Sequence, residues 1–357
     1  MNLRDFLRLL ATGGPGLCQI ALTNACNARC RFCRFPSVPA EDRVFADPAR
    51  LVPGLARLQA GGIRYLSLTG GEPLLYPALL ELVDEARRLG FYTLLVTNGT
   101  LLSPVLLHRL KQAGLGRLLI SLDAAEPEVH DRHRGVPGLS RHLRELVPLA
   151  AREGLRPTAS VTLSRLTGNL QRLMGCLRHL GFVAVTFSYP LTRLESSYLG
   201  YAPDPLVQFS LEELQTLFQT LLALKAKSPL PLLNTRWVLE ELCRGLRGNP
   251  PKLPCLAGDK YFYLDWELTL YPCHLLGERL GVLEDFPVAS PRQQACPGCV
   301  SECYLDASAC QTAAVSLAEG WAALRQARFR EGLGRLFSQA TFRSLATLWE
   351  SRSWLKQ

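Results

Sequence analysis

The sequence predicts an α/β fold built on a parallel sheet, and three observations support this prediction. Of the 357 residues, 48% are apolar and 20% are charged, so the chain can bury a sizeable core and is neither disordered nor fibrous. Short apolar runs alternate with helical patterns through the first two-thirds of the chain. The 12 cysteines are spaced unevenly, and the length suits two domains or one large α/β barrel with an appendage.

The alternation consists of strand, helix and glycine. The predicted strands span residues 18–22, 65–68, 93–96, 118–122, 158–163 and 183–187. The predicted helices span residues 48–60, 76–89, 104–112, 139–153 and 169–180, and each ends within two residues of a glycine, a common helix stop. Repeated units of this kind favour a parallel sheet. Six units are too few for an eight-unit barrel, so a partial barrel or an open sheet would fit.

After Tyr189 this alternation stops. From about Ala314 the pattern is helical again, which predicts a helix pair packed on the domain, with a membrane-surface helix as the alternative. The predicted domains are an N-terminal helix at 1–16, a sheet domain at 17–210, a connecting helical segment at 211–254, a cysteine-rich region at 255–312 and C-terminal helices at 313–357.

The net charge of +9 comes almost entirely from arginine. Arginine-rich codon usage or an anionic partner would explain it. The arginines are scattered and form no basic run, so we expect no DNA binding. The sequence has no signal peptide and no run of about 18 apolar residues, so we expect a cytoplasmic protein without a transmembrane segment. Thiols stay reduced there, and closely spaced cysteines then bind metal or do chemistry.

Three cysteines with the spacing C-x3-C-x2-C follow the first predicted strand, at Cys26, Cys30 and Cys33. Three thiolates in one loop can converge on one metal centre. A structural zinc site takes four ligands. A [4Fe–4S] cluster held by three thiolates keeps one iron open for another ligand. The alternative is a zinc site completed by a distant ligand.

The segment Thr69–Pro73, with the sequence TGGEP, ends the second predicted strand. Its two glycines would let the backbone approach a ligand closely and would expose amides. Glu72 offers a carboxylate for an ammonium group. The alternative is a tight turn in which Pro73 starts the next helix.

Together these two motifs resemble the radical S-adenosylmethionine (AdoMet) enzymes, over at least residues 19–187. The resemblance implies a partial (βα)6 barrel, a [4Fe–4S] cluster and AdoMet chelated to its open iron. The residues that carry it are Cys26, Cys30 and Cys33 with Phe32 between them, and Gly70, Gly71 and Glu72, which would hold the AdoMet amino group.

Two later segments are similar to parts of that family that lie near AdoMet. They contain Asn98, and then Ser121, Asp123 and Arg134. The resemblance implies that Ser121 lies by the ribose or carboxylate of AdoMet and that Arg134 lies close by. The alternatives are a turn at Asn98 and a solvated helix cap at Asp123. All these motifs fall at carboxyl ends of predicted strands, where barrel active sites are built.

A second cysteine-rich region contains a predicted β-hairpin with strands at 261–264 and 267–270. Its cysteine spacing suits a structural zinc or an auxiliary iron–sulfur cluster, and it resembles the SPASM or twitch extension of radical AdoMet enzymes. The turn Asp265-Trp266 and a count of six cysteines depart from that pattern. We therefore expect one auxiliary cluster, with His274 beside it or facing solvent. The candidate ligands are Cys255, Cys273, Cys296, Cys299 and Cys303, with Cys310 as a further candidate.

The implied activity is reductive cleavage of AdoMet to a 5′-deoxyadenosyl radical, which abstracts hydrogen from a substrate. An external low-potential donor of the flavodoxin or ferredoxin type would supply the electron. The substrate would be a peptide or a small molecule such as a lipid, sugar or nucleoside precursor. A non-catalytic iron–sulfur carrier or zinc module is disfavoured, because a carrier needs no AdoMet site.

No catalytic acid or base is identifiable from the sequence. Tyr189, Tyr198 and Tyr201 are candidates by position alone. Only about 17 residues precede the first strand, so we expect no N-terminal domain that captures a leader peptide by strand addition. This weakens the peptide hypothesis without excluding a separate recognition protein.

Overall fold

The computed structural model describes residues 13–191, 194–288 and 302–355. Its first six strands are β1 Gly16–Ala21, β2 Ile63–Thr69, β3 Tyr92–Thr97, β4 Arg117–Ser121, β5 Thr158–Thr162 and β6 Ala184–Ser188. Each pairs in parallel with its neighbour in sequence. The predicted six-unit parallel sheet of a partial barrel is therefore confirmed.

Six helices connect these strands: α1 Pro48–Ala60, α2 Leu79–Arg88, α3 Pro104–Ala113, α4 Pro127–Arg134, α5 Leu139–Arg152 and α6 Leu170–His179. In α1, the Asp47 side chain caps the helix by accepting from the Ala49 amide at 2.9 Å. The same helix buries Leu51, Leu55 and Leu58 at helical spacing. The sequence does not predict α4, because its residues are almost all polar.

The predicted hairpin extends the barrel sheet. Its strands are β7 Tyr261–Leu264, β8 Thr269–Tyr271 and β9 Gly281–Val282. β7 pairs in parallel with β1, so the nine-stranded order is β6-β5-β4-β3-β2-β1-β7-β8-β9. The second hairpin strand starts later than predicted, because Asp265 Oδ1 accepts from the amides of Glu267 and Thr269 and widens the turn.

The remaining helices are α7 Leu211–Lys227, α8 Arg236–Gly245, α9 Glu302–Arg325, α10 Phe329–Leu336 and α11 Gln339–Leu355. Residues 302–355, the described part of the C-terminal region, thus contain three helices where a pair was predicted. α9 runs through the predicted boundary between residues 312 and 313, and the domain limits stay a prediction. No helix in the described part of the chain is long and apolar enough to cross a membrane.

Three sequence predictions concern residues that lie wholly or largely outside this description. They are the N-terminal helix, of which residues 1–12 are not described, and the ligands Cys296 and Cys299. The side chain of Cys303 also lies outside it, although its backbone belongs to α9.

Candidate active site

The residues predicted to bind the first cluster and AdoMet lie at one edge of the sheet, where the carboxyl ends of β1 to β4 meet. The three-cysteine loop follows β1, Gly70 and Gly71 follow β2, Asn98 follows β3 and Asp123 follows β4. These strands are parallel neighbours, so the structure brings the four elements together as expected for a barrel active site.

The cysteine loop, Cys26–Cys33, holds three thiols that influence one another electrostatically. Burial is the main cause that raises the pKa of Cys26 to about 11 and that of Cys33 to about 12, and the neighbouring Cys30 thiol adds to both shifts. Burial also raises the pKa of Cys30, while the Arg134 guanidinium acts against it. The thiols therefore have to release protons when the loop binds metal.

Three neighbouring sulfur donors in one loop fit an iron–sulfur cluster in their chemistry, because soft thiolates are its usual ligands. Within the described ranges, no three His, Cys, Asp or Glu side chains already stand in a metal-binding arrangement.

Gly70 and Gly71 pack directly against the backbone that leads into the cysteine loop. A Cβ atom on Gly70 would lie 2.4 Å from the Thr23 carbonyl oxygen, and one on Gly71 would lie 2.0 Å from that of Ala25. The amides of Gly71 and Glu72 donate to those same two carbonyls, each at 2.8 Å. The Gly71 amide is therefore used within the protein and is not exposed to a ligand in the way that the sequence suggests. Both amides hold the cysteine loop against the end of β2.

The Glu72 carboxylate is fully buried and ties the end of β2 to the end of β3. It accepts from the Thr97 hydroxyl at 2.6 Å, the Asn98 amide at 2.8 Å and the Leu74 amide at 3.0 Å. Burial raises the pKa of Glu72, although these hydrogen bonds act against the shift. A contact between this carboxylate and an AdoMet amino group stays a prediction.

Asn98 connects the end of β3 to the cysteine loop. Its Nδ2 donates to Asn27 Oδ1 at 2.8 Å and lies 4.0 Å from Cys26 Sγ. Its Oδ1 also accepts from the Thr100 amide at 2.9 Å, so the predicted turn is present as well. The Asn98 side chain therefore stabilises the local turn and lies beside Cys26, the first cysteine of the loop.

Asp123 and Arg134 form a buried ion pair, with 2.5 Å between Oδ2 and Nη2. The alternative of a solvated cap at Asp123 is wrong, because this residue is fully buried. Burial by itself would raise the pKa of Asp123, but Arg134, the neighbouring His130 and His133 and a hydrogen bond from the Thr162 amide together outweigh it, and the pKa is lowered. Burial lowers the pKa of His130 and of His133 to about 4, so both are neutral at pH 7.

Helix α4 packs over the cysteine loop. The Arg29 amide donates to the Arg134 carbonyl at 2.8 Å, and the Phe32 ring lies 4.5 Å from the His133 ring between centroids. Ser121 is half-buried at the end of β4. Phe32 and Arg134 are thus next to the cysteines, and their contacts with AdoMet stay a prediction. His133 is an additional neighbour that sequence reasoning missed, and its position directly before Arg134 was the one signal for it.

Three cysteines of the second region share one neighbour, Tyr261. Cys273 is buried and packs in the same apolar cluster as Tyr261. Burial raises the pKa of the Tyr261 phenol, and Cys310 and Cys255 are near enough to add to that shift. Burial raises the pKa of Cys310 to about 12. The structure thus brings these three cysteines into one region, and the full auxiliary ligand set stays a prediction.

His274 is buried, so the expectation that it faces solvent is wrong. Its Nδ1 lies 3.0 Å from Gln19 Oε1, to which the Tyr304 hydroxyl also donates at 3.3 Å. Burial lowers the pKa of His274 to about 3. Sequence reasoning missed this network. The one feature of the sequence that could have indicated it is the polar Gln19 inside an apolar strand.

A partial barrel whose first strand leads into three clustered cysteines has the arrangement of a radical AdoMet domain. Residues 20–169 match the sequence model of the Radical SAM superfamily. Residues 20–169 therefore carry a radical SAM domain, which confirms the resemblance over this part of the chain. Members bind a [4Fe–4S] cluster and AdoMet, so both cofactor predictions are confirmed at the level of the superfamily.

Individual relatives cover only parts of the chain. It is 38% identical over 130 residues to an AdoMet-dependent heme synthase of Methanosarcina barkeri, covering 36% of each protein. It is 29% identical over 182 residues to a PqqA peptide cyclase of Xanthomonas axonopodis pv. citri, covering 51% of this chain and 47% of that protein. The chain thus spans less than half the length of these two curated relatives.

A solved structure resembles the chain over a longer range. It is Streptococcus suis SuiB bound to its precursor peptide SuiA, with a TM-score of 0.61 and 14% identity. The alignment covers 81% of this chain and 69% of that chain. At this identity the likeness concerns the fold alone, and it confirms the partial-barrel prediction.

Proposed function

We propose that this chain is a radical AdoMet enzyme that holds a [4Fe–4S] cluster on Cys26, Cys30 and Cys33 and binds AdoMet beside it. The observation that carries this proposal is the packing of the cysteine loop against the glycine pair and Asn98 at one edge of the sheet. When bound, cluster and AdoMet together supply a 5′-deoxyadenosyl radical that abstracts hydrogen from a substrate.

The residues of the chain would position these cofactors and keep water out. Gly71 anchors the backbone entering the cysteine loop, and Asn98 places an amide beside Cys26. The Arg134 guanidinium, held by Asp123, adds positive charge near Cys30 and favours its thiolate. We assign the AdoMet contacts to Phe32, Gly70, Gly71, Glu72, Asn98, Ser121, Asp123 and Arg134.

An auxiliary iron–sulfur cluster is part of the proposal. Cys255, Cys273 and Cys310 share the neighbourhood of Tyr261, which supports a common site. We assign its ligands to Cys255, Cys273, Cys296, Cys299 and Cys303, with Cys310 as an additional candidate.

We favour a peptide as the substrate. Similarity to a peptide cyclase extends over half of this chain, and a protein of the same fold binds a precursor peptide. The alternative is a small molecule, supported by the higher identity to a heme synthase. A cytoplasmic location and a flavodoxin or ferredoxin donor would suit this chemistry, because reduced thiols and low-potential electrons are available there.

Anaerobic reconstitution with iron and sulfide tests the proposal. Electron paramagnetic resonance is recorded with and without AdoMet, and 5′-deoxyadenosine is measured after reduction. About eight irons per chain with an AdoMet-sensitive signal would support two clusters, and about four would leave the second region with zinc or empty. Cys30→Ala should abolish AdoMet cleavage, whereas Cys176→Ala, on α6, should retain it. AdoMet cleavage by Cys30→Ala would refute the assignment. Incubation with short peptides encoded beside the gene then tests the substrate class.

A further inference from the structure

The segment after β6 connects the cysteine-rich region to the cysteine loop. We call residues 195–204 the strap. At its start, the Glu195 amide donates to the Leu275 carbonyl at 2.9 Å. The Ser197 hydroxyl donates to Asp265 Oδ2 at 2.8 Å. The strap is therefore anchored to the β7–β8 turn and to the chain that follows β8.

The other part of the strap binds the cysteine loop and its continuation. The Arg34 amide donates to the Leu199 carbonyl at 2.8 Å, and the Ala202 amide donates to the Phe32 carbonyl at 2.8 Å. Cys33 Sγ lies 3.7 Å from the same Leu199 oxygen. One short segment thus contacts both cysteine regions of the chain.

Tyr198 lies between these two sets of contacts. Its ring stacks on His274 with 4.8 Å between centroids, and it meets Phe35 edge-on at 5.7 Å and Tyr263 at 5.8 Å. His274 directly follows a proposed auxiliary ligand, and Phe35 lies two residues after Cys33. The Tyr198 ring thus contacts aromatic side chains of both cysteine regions, in the edge-on and stacked arrangements that such pairs prefer.

Two glycines allow the close contacts of the strap. Gly277 faces the start of the strap, and Gly200, within the strap, faces the Tyr198 side chain. A Cβ atom on Gly277 would lie 2.5 Å from the Glu195 carbonyl oxygen, and one on Gly200 would lie 2.3 Å from the Tyr198 hydroxyl oxygen. Both distances are far below van der Waals contact. An alanine at either position would displace the strap or its tyrosine.

We propose that Tyr198 is a positioning residue through which the strap couples the auxiliary region to the cysteine loop. The contacts around its ring hold the strap in place, and the strap holds the Phe32–Arg34 backbone through Leu199 and Ala202 and so sets the position of Cys33. This inference rests on the proposed function, because the coupling has a purpose only if the cysteine loop binds a cluster. Packing among three aromatic rings suits positioning better than the acid–base role for which Tyr198 was a candidate.

Amide hydrogen exchange in the full-length, metal-free protein tests the coupling. The Arg34 amide reports on the strap, and the Arg29 amide, which donates to Arg134 on the other side of the loop, is the internal reference. Tyr198→Ala and Gly277→Ala should accelerate exchange at Arg34 by about tenfold or more and leave Arg29 unchanged. Tyr198→Phe, which keeps the ring, should behave like the wild type.

Gly175→Ala is the matched glycine control, because open space surrounds Gly175 on α6. It should leave both amides unchanged. In reconstituted protein, the AdoMet-sensitive resonance signal should change shape or midpoint potential in Tyr198→Ala and Gly277→Ala but not in Tyr198→Phe.

Unchanged exchange at Arg34 in both disruptive variants would overturn the inference. Equal acceleration at Arg34 and Arg29 would also overturn it, because that result indicates general loss of structure. A wild-type protein without any AdoMet-sensitive signal would contradict the proposed function instead, and the exchange result would still decide whether the strap holds the loop.

Discussion

The Asp123 carboxylate lies 2.5 Å from the Arg134 guanidinium, and the pair is buried beside the cysteine loop. Asp123 follows β4 and Arg134 ends α4, so this contact fixes the helix that covers the loop to the sheet. A buried pair adds little net free energy when intact, but removing one partner leaves an uncompensated buried charge.

Asp123→Asn should therefore lower the free energy of unfolding by about 3 kcal/mol or more. Urea denaturation of the metal-free protein measures this change. Glu284→Gln is the control, since Glu284 forms an ion pair with Arg50 at 2.7 Å on the surface. That variant should lose less than about 1 kcal/mol. Similar losses in the two variants would contradict the importance assigned to the buried pair.

Gly71→Ala should displace the cysteine loop. The new Cβ atom would lie 2.0 Å from the Ala25 carbonyl oxygen, directly before Cys26. Overpacking of this kind costs about 1–3 kcal/mol. We expect lower iron retention after reconstitution and a lower midpoint of thermal unfolding. Gly175→Ala, in open space on α6, should keep wild-type iron and gain up to about 1 kcal/mol. Wild-type iron content in Gly71→Ala would argue against this packing role.

The six barrel strands could be predicted because strands buried between a sheet and its helices appear as short apolar runs. β2 and β5 match their predicted ranges within two residues at each end. The position of the hairpin could not be predicted, because the pairing of β7 with β1 depends on tertiary contacts. Helix α4 could not be predicted either, since its polar sequence has no apolar stripe.

For the site, the order of the motifs predicted which residues would meet but not what each group would bind. Glu72 is an example. A carboxylate after two glycines suggests a ligand contact, but its partners come from Thr97 and Asn98 on a different strand. Only the packing of β3 against β2 determines that the carboxylate is used within the protein.

Glu72→Gln should destabilise the fold by about 1–3 kcal/mol. Glutamine replaces one acceptor oxygen with an NH2 group, which would face an N–H or O–H donor that the carboxylate now satisfies. Urea denaturation measures the loss. Glu81→Gln, on the exposed face of α2, is the matched control and should change stability by less than about 0.5 kcal/mol. An unchanged stability of Glu72→Gln would mean that these hydrogen bonds contribute little.

The two buried histidines of α4 predict that stability falls in mild acid. Burial lowers the pKa of His130 and His133 to about 4, below the value near 6.5 of an unfolded histidine. Between these values the unfolded state binds more protons, so the stabilisation is complete above about pH 6.5 and is lost as the pH falls towards 4. Each histidine contributes up to about 3 kcal/mol to that loss.

Urea unfolding of the metal-free protein between pH 7 and pH 4.5 measures this dependence. Replacing His130 and His133 together with glutamine should reduce the slope of the pH profile, because glutamine does not titrate, and the contribution of His274 should remain. His179→Gln, on the exposed end of α6, should retain the wild-type profile. If the double variant kept the full wild-type slope, the titrating groups would lie elsewhere. His274 would be the next candidate, because burial lowers its pKa to about 3 and shifts stability in the same direction.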